Sequence, residues 1–204
     1  MTKAQMDLPL LAPPEWFPSL RIAQLFSVIY LAWISAEVVN QIIGRRIGGL
    51  RRGQDRGSFW AIGGMVAAVI LICYGLRGAG VGVVVGAVQF VGMAFMIIGI
   101  AFRQWAVAVL GRHFTVAVMT DAAQRLVEEG PYRWVRHPSY TGSILTLIGL
   151  PLALGSWLAL IPVLVLVLAA YLYRANVEEQ ALTTRFGAAY TEFARTHPRF
   201  FPGF

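Results

Sequence analysis

Two hundred and four residues fit a single domain, but 57% of them are hydrophobic and only 13% are charged, about half the charged share of an ordinary soluble chain. With a mean hydropathy of +0.64, such a chain cannot cover itself with polar surface, which excludes a cytosolic enzyme, a disordered chain and, despite the net charge of +7, a nucleic-acid-binding domain. Its one cysteine, Cys73, excludes an internal disulfide framework and a cysteine-based metal cluster.

Met1–Leu20 lacks a basic start followed by an apolar run, so no cleavable signal peptide is expected. Residues 12–18, containing Trp16 and Phe17, read as an interfacial lead-in with both aromatics at headgroup level. Apolar stretches follow at Leu20–Ile43, Ser58–Leu76 and Val81–Phe102, each near the ~20 residues that a helix needs to cross ~30 Å of hydrocarbon. Gly82, Gly86, Gly92 and Gly99 give the third stretch faces for close helix contact, with Gly82 and Gly86 spaced as a GxxxG pair. The fourth stretch, Ser143–Tyr173, is too long for one crossing and carries Gly149, Pro151, Gly155 and Pro162. It reads as a tight hairpin turning near Gly155-Ser156, whose first helix does not reach the far face. The expected fold is therefore an all-α integral membrane protein of five transmembrane helices. The absence of an internal repeat weighs against an inverted-repeat transporter.

Charge sets the orientation. Fourteen of the 17 Lys+Arg residues fall after helix one, between helices three and four, and after helix five. The other side holds Lys3, Arg21 and Arg77. The positive-inside rule then puts the N-terminus outside and the larger loop and tail in the cytoplasm. The larger loop and the tail together carry six acids (Asp121, Glu128, Glu129, Glu178, Glu179, Glu192) and all three histidines (His113, His137, His197). Glu37 lies inside the first span, near its cytoplasmic end, and reads as a structural, snorkelling carboxylate.

Two clusters carry the candidate chemistry. Residues 129–142 include Tyr132, Arg133, Trp134, Arg136, His137, Pro138 and Tyr140. Gly130-Pro131 marks a turn, and Pro138 biases His137 away from helical geometry, so helix four is expected to begin near Ser139. Such a helix start can bind an anionic group; the plainer reading of Tyr132, Trp134 and Tyr140 is an interfacial aromatic belt. The second cluster, residues 176–180 around Glu178-Glu179, follows helix five. Arg174 and Glu178 at i,i+4 form an ordinary helix pair, yet neighbouring glutamates point about 100° apart and cannot both face one arginine. The helix is expected to run to Phe186, with Gly187 as its stop and an amphipathic piece over residues 188–197.

These clusters, with Arg103-Gln104-Trp105 and residues 110–114 before them and Phe186-Gly187, Tyr190 and Phe201-Pro202 after them, resemble the isoprenylcysteine carboxyl methyltransferase and phospholipid N-methyltransferase superfamily. The likeness runs from about Arg103 to Pro202, dividing the chain into an N-terminal part, 1–102, and a methyltransferase core, 103–204. It implies S-adenosyl-L-methionine, released as S-adenosyl-L-homocysteine, in a cytosolic pocket between the loop before helix four and the tail. It also implies a lipophilic or lipid-borne acceptor entering from the bilayer, and no nucleic acid or metal partner. By resemblance, Tyr132, Arg136, His137, Pro138, Tyr140, Glu178 and Glu179 bind the cofactor. A carboxylate acceptor needs a cation, for which Arg103, Arg174 and Arg199 are the candidates; an amine acceptor needs a base such as His137 or a glutamate. A bacterial plasma membrane is favoured over the endoplasmic reticulum. The rivals are a sterol-type NADPH reductase and a small transporter.

Overall fold

The structure, a computed structural model, describes residues 11–48, 57–111 and 127–202, with backbone alone at 44–48. His113, Asp121, Lys3, Arg51, Arg52, Arg56, Arg112 and Arg125 lie outside the described residues. Six α-helices occur among those described: α1 (Leu20–Gly48), α2 (Ser58–Gly78), α3 (Ala87–Leu110), α4 (Pro138–Ala153), α5 (Leu160–Phe186) and α6 (Ala188–Thr196). No strand forms among the described residues, although Val83 and Ser156 make one isolated bridge. Four segments, Leu20–Ile43, Ser58–Gly78, Ala87–Leu110 and Trp157–Phe186, are long and apolar enough to cross a membrane, which marks a multi-pass membrane protein. With 16 residues, α4 reaches only about 24 Å at 1.5 Å per residue, short of the ~30 Å core.

The hairpin turns where expected: Gly155 adopts φ +70°, a conformation that side-chain-bearing residues rarely adopt. The third span starts later than hydropathy predicts, at Ala87 rather than Val81. Residues 81–86 are instead zipped to the α4–α5 turn, with Val84 N donating to Gly155 O at 2.9 Å and Trp157 N to Gly82 O at 3.0 Å. Gly82 and Gly86 thus lie in a loop and not on a helix-packing face. The close helix contact is made by Gly92 and Gly99 of α3 against Gly142 and Gly149 of α4: a Cβ on Gly92 would strike the backbone of Ala153, and one on Gly142 would lie 2.6 Å from Arg103 N. Gly99→Leu is expected to cost more than ~3 kcal/mol through overpacking, read as loss of a monodisperse gel-filtration peak in detergent, whereas Gly63→Leu, in open space, leaves the peak intact.

The lead-in packs onto the bundle. Phe17 is buried, 5.3 Å from the Phe26 ring, and Trp16 packs on Tyr74 at 5.8 Å. Arg77 is likewise not a loop charge. It is a buried residue whose Nε donates to Leu154 O at 2.8 Å, capping the C-terminal end of α4, and whose Nη2 donates to Trp16 O of the lead-in at 2.9 Å. This end of the bundle is tied by hydrogen bonds; the chemistry-bearing side chains collect at the other.

Candidate active site

The 3-10 turn Gly130–Arg133 delivers the chain to α4. Pro138 takes the first helical position, where no N–H is needed, and His137 becomes the residue just before the helix, at φ −124° and ψ 59°. The C-terminal tail runs alongside: Arg136 N donates to Pro198 O at 2.9 Å and His137 N to Arg199 O at 3.0 Å. Thr141 Oγ1 adds a 2.5 Å bond to Phe200 O, and Arg136 Nη1 one of 2.6 Å to Ala194 O. Loop and tail therefore form one wall, and the far end of α5 forms the other. About twenty residues from Trp157 suffice to cross the hydrocarbon, so Glu178 and Glu179 stand beyond it.

Glu179 gathers three cationic groups. Its Oε1 is 3.0 Å from His137 Nε2 and 3.2 Å from Arg136 Nη2, and its Oε2 accepts from Arg199 Nη2 at 2.8 Å. Glu178 Oε2 accepts from the Tyr140 hydroxyl at 2.5 Å and lies 3.5 Å from His137 Nδ1. The Tyr140 hydroxyl in turn accepts from Arg174 Nε at 3.1 Å, and its ring stacks on the His137 imidazole with centroids 5.1 Å apart and planes 4° from parallel. Tyr140 thus joins Arg174 to Glu178, which the i,i+4 spacing alone does not reveal.

His137 is 5% exposed. Burial, the largest influence on its titration, disfavours the imidazolium. Hydrogen bonding and charge from Glu178 and Glu179 together outweigh it and set its pKa above the ordinary value of 6.5. Tyr132 and Tyr190 are held above the ordinary phenol range, burial being the first cause in both, with Glu178 next for Tyr132 and Glu179 for Tyr190. Of the three ring-bearing residues read as a belt, Tyr132 is buried and Tyr140 belongs to the cluster. Trp134 remains exposed, with the Arg133 guanidinium 4.5 Å over its ring.

The three arginines grouped as carboxylate holders separate. Arg199 belongs to the Glu179 cluster. Arg103 lies within α3 instead of the loop after it, its Nη2 donating to Glu37 Oε2 at 2.7 Å, with Nε 2.5 Å from Oε1. Arg174 Nη1 donates to Ser58 Oγ at 2.8 Å. Arg103 and Arg174 both line a cavity of about 250 Å³ between α1, α2, α3, α4 and α5, with Trp33, Phe59, Tyr171 and Glu37 among its walls. Tyr140 lines it too, so one side chain is shared by the ionic cluster and the cavity. Sequence reasoning missed the role of Glu37. Its signal was a carboxylate within an apolar span, which calls for a cation, but the partner lies 66 residues away.

Residues 90–184 match the isoprenylcysteine carboxyl methyltransferase (ICMT) family. The matched segment, a little under half of the chain, is similar to that superfamily. Protein-S-isoprenylcysteine O-methyltransferase B of Arabidopsis thaliana is 32% identical over 109 residues, 52% of this chain and 55% of that protein. The Schizosaccharomyces pombe protein-S-isoprenylcysteine O-methyltransferase is 25% identical over 142 residues, covering 69% of this chain and 60% of the relative. The match thus spans somewhat over half the length of these ICMT relatives. The solved structure of the eukaryotic intramembrane Ras methyltransferase ICMT superposes with a TM-score of 0.61 over 95% of this chain and 69% of that one, at 20% identity. That likeness establishes a shared fold. All of α1 and all of α2, which supply Glu37 and Ser58, precede the ICMT-matched segment.

Proposed function

We propose that the protein is an integral-membrane, S-adenosyl-L-methionine-dependent methyltransferase acting on a lipophilic or lipid-borne acceptor, an isoprenylcysteine-type carboxylate or a phospholipid amine. The observation that carries this reading is the convergence of Arg136 and His137 with Glu178 and Glu179 at one end of the bundle. The donor set suits the cofactor: carboxylates for an ammonium and a sulfonium, and guanidinium groups for a carboxylate. Beside it an open groove of about 730 Å³, walled by Arg136, Arg195, His197 and Arg199, has room for a nucleoside. When bound, S-adenosyl-L-methionine supplies an electrophilic methyl group and departs as S-adenosyl-L-homocysteine.

In this reading Glu178 and Glu179 hold the positive parts of the cofactor, Arg136 its carboxylate, and Tyr132, Pro138 and Tyr140 shape the wall that they share. His137 orients both glutamates, and its imidazole is the group placed to exchange a proton. Arg103, Arg174 and Arg199 set the charge around the acceptor. Methyl transfer demands alignment and exclusion of water more than a covalent partner, and a cavity enclosed by five helices meets that demand. Five helices enter the membrane, α4 only part-way. Residues 1–102 form the N-terminal part and 103–204 the methyltransferase core. The N-terminus lies outside, the active site faces the cytoplasm, and the host membrane is a bacterial plasma membrane.

The test is titration calorimetry of the protein in nanodiscs with S-adenosyl-L-methionine and, separately, NADPH, followed by tritiated-methyl transfer to a lipid extract and identification of the labelled species. Saturable binding of the methyl donor and label in an apolar product are expected. Binding of NADPH alone would replace this reading with a sterol-type reductase, and binding of neither would remove it.

A further inference from the structure

The cavity beside Tyr140 has a polar end whose charges are already matched. Arg103 faces both carboxylate oxygens of Glu37, and Arg174 is engaged with Ser58 and, through Tyr140, with Glu178. A carboxylate entering here must displace Glu37 from Arg103 and leave a second anion in an apolar span, which is costly. Among the described residues, two polar atoms on the α1 wall lack a hydrogen-bond partner: Asn40 Nδ2, a donor, and Gln41 Oε1, an acceptor. Both residues line the cavity, and Asn40 is only 3% exposed. A buried donor and acceptor left open together, one helix position apart, are complementary to a group that both accepts and donates. The remaining walls, Trp33, Phe59, Ile62 and Leu147, offer flat and branched apolar surface.

Resting on the methyltransferase reading and on its lipophilic acceptor, but replacing the carboxylate or amine by a third nucleophile, we propose that α1 recognises the acceptor, and that the acceptor is an uncharged phenol on an apolar body whose hydroxyl binds Asn40 and Gln41 beside the Glu37–Arg103 pair. A hydroxyl accepts from Asn40 Nδ2 and donates to Gln41 Oε1, and its ring packs against Trp33 and Phe59. Transfer from a methylsulfonium donor balances with Glu37 as base. The phenol's single proton, directed to Gln41 Oε1 on binding, turns to a Glu37 oxygen in the reacting complex and passes to it. The phenol oxygen's electron pair forms the new bond to the methyl carbon, and the carbon–sulfur bond breaks with its pair on sulfur. Arg103 stabilises the negative charge that develops on the phenol oxygen. The residues that choose the acceptor therefore lie on α1, ahead of the family-matched segment, while that segment supplies the cofactor cluster.

The experiment uses the full chain in detergent with two probes, 4-nonylphenol and N-acetyl-S-farnesylcysteine. Both are read by the shift in melting temperature and by tritiated-methyl transfer. In the parent, nonylphenol should raise the melting temperature and take label at least tenfold faster than the farnesylcysteine carboxylate. Asn40→Leu, which keeps the volume of the site, should abolish the nonylphenol shift while leaving calorimetric binding of S-adenosyl-L-methionine unchanged. Glu37→Gln should cut transfer to nonylphenol at least a hundredfold and raise affinity for the carboxylate probe by releasing Arg103. A parent that is stabilised by farnesylcysteine and not by nonylphenol, or by neither, overturns the proposal even where the methyl donor binds. Failure of the donor to bind removes the methyltransferase reading itself.

Discussion

Glu179→Gln is expected to weaken binding of S-adenosyl-L-methionine at least tenfold, about 1.4 kcal/mol, the largest effect on donor binding of any single substitution outside the glycine seam. Among the described residues, Glu179 is the one carboxylate approached by three cationic groups, Arg136, His137 and Arg199, and its side chain is 13% exposed. Gln keeps the shape but removes the charge. Arg136 and Arg199 then lose their shared anion, and the site keeps only Glu178 as a full anion for the cofactor's positive groups. Removing one member of a sheltered ionic cluster exposes the others' repulsion, so the melting temperature in detergent should fall as well. The comparison is Glu192→Gln on α6, whose pair with Arg195 is 63% and 76% exposed; exposed pairs of this kind contribute 0–1 kcal/mol, and that variant should bind like the parent. Calorimetry on both in nanodiscs is the measurement. Equal donor binding by Glu179→Gln and the parent would show that the cluster is a structural staple and not a cofactor site.

What could be read from the sequence followed from local physics. The α4–α5 hairpin was legible because 31 apolar residues exceed one crossing and Gly155 sits where the turn must be, and the end of α5 because Gly187 follows Phe186. The approach of Arg136-His137 to Glu178-Glu179 was legible because the helices between them form one hairpin, so charge counting put both clusters on the same side. The start of α3 was not legible, since hydropathy cannot tell an apolar helix from the apolar loop at 81–86 that pairs with the α4–α5 turn. Nor was the Glu37–Arg103 pair. Hydropathy and loop charge place each residue at a depth, but they do not say which faces of α1 and α3 meet, and that meeting decides that Arg103 points into the bundle.

The second large effect concerns pH. The raised pKa of His137 means that the folded protein holds the imidazolium more tightly than the unfolded chain does. The stabilisation is fully present below the unfolded value of about 6.5, and it is lost as pH rises through the higher folded value. Melting temperature in detergent should therefore hold steady at pH 6 and decline through the neutral-to-alkaline range. Donor binding should follow, because neutral His137 no longer holds both glutamates in place. His137→Gln keeps a hydrogen-bonding side chain but cannot titrate. That variant should start with a lower melting temperature at pH 6 and show a flatter profile above it, so the two curves converge at high pH. Parallel parent and His137→Gln curves across the whole range would mean that folding does not change the proton affinity of His137, and that the two glutamates do not hold its imidazolium.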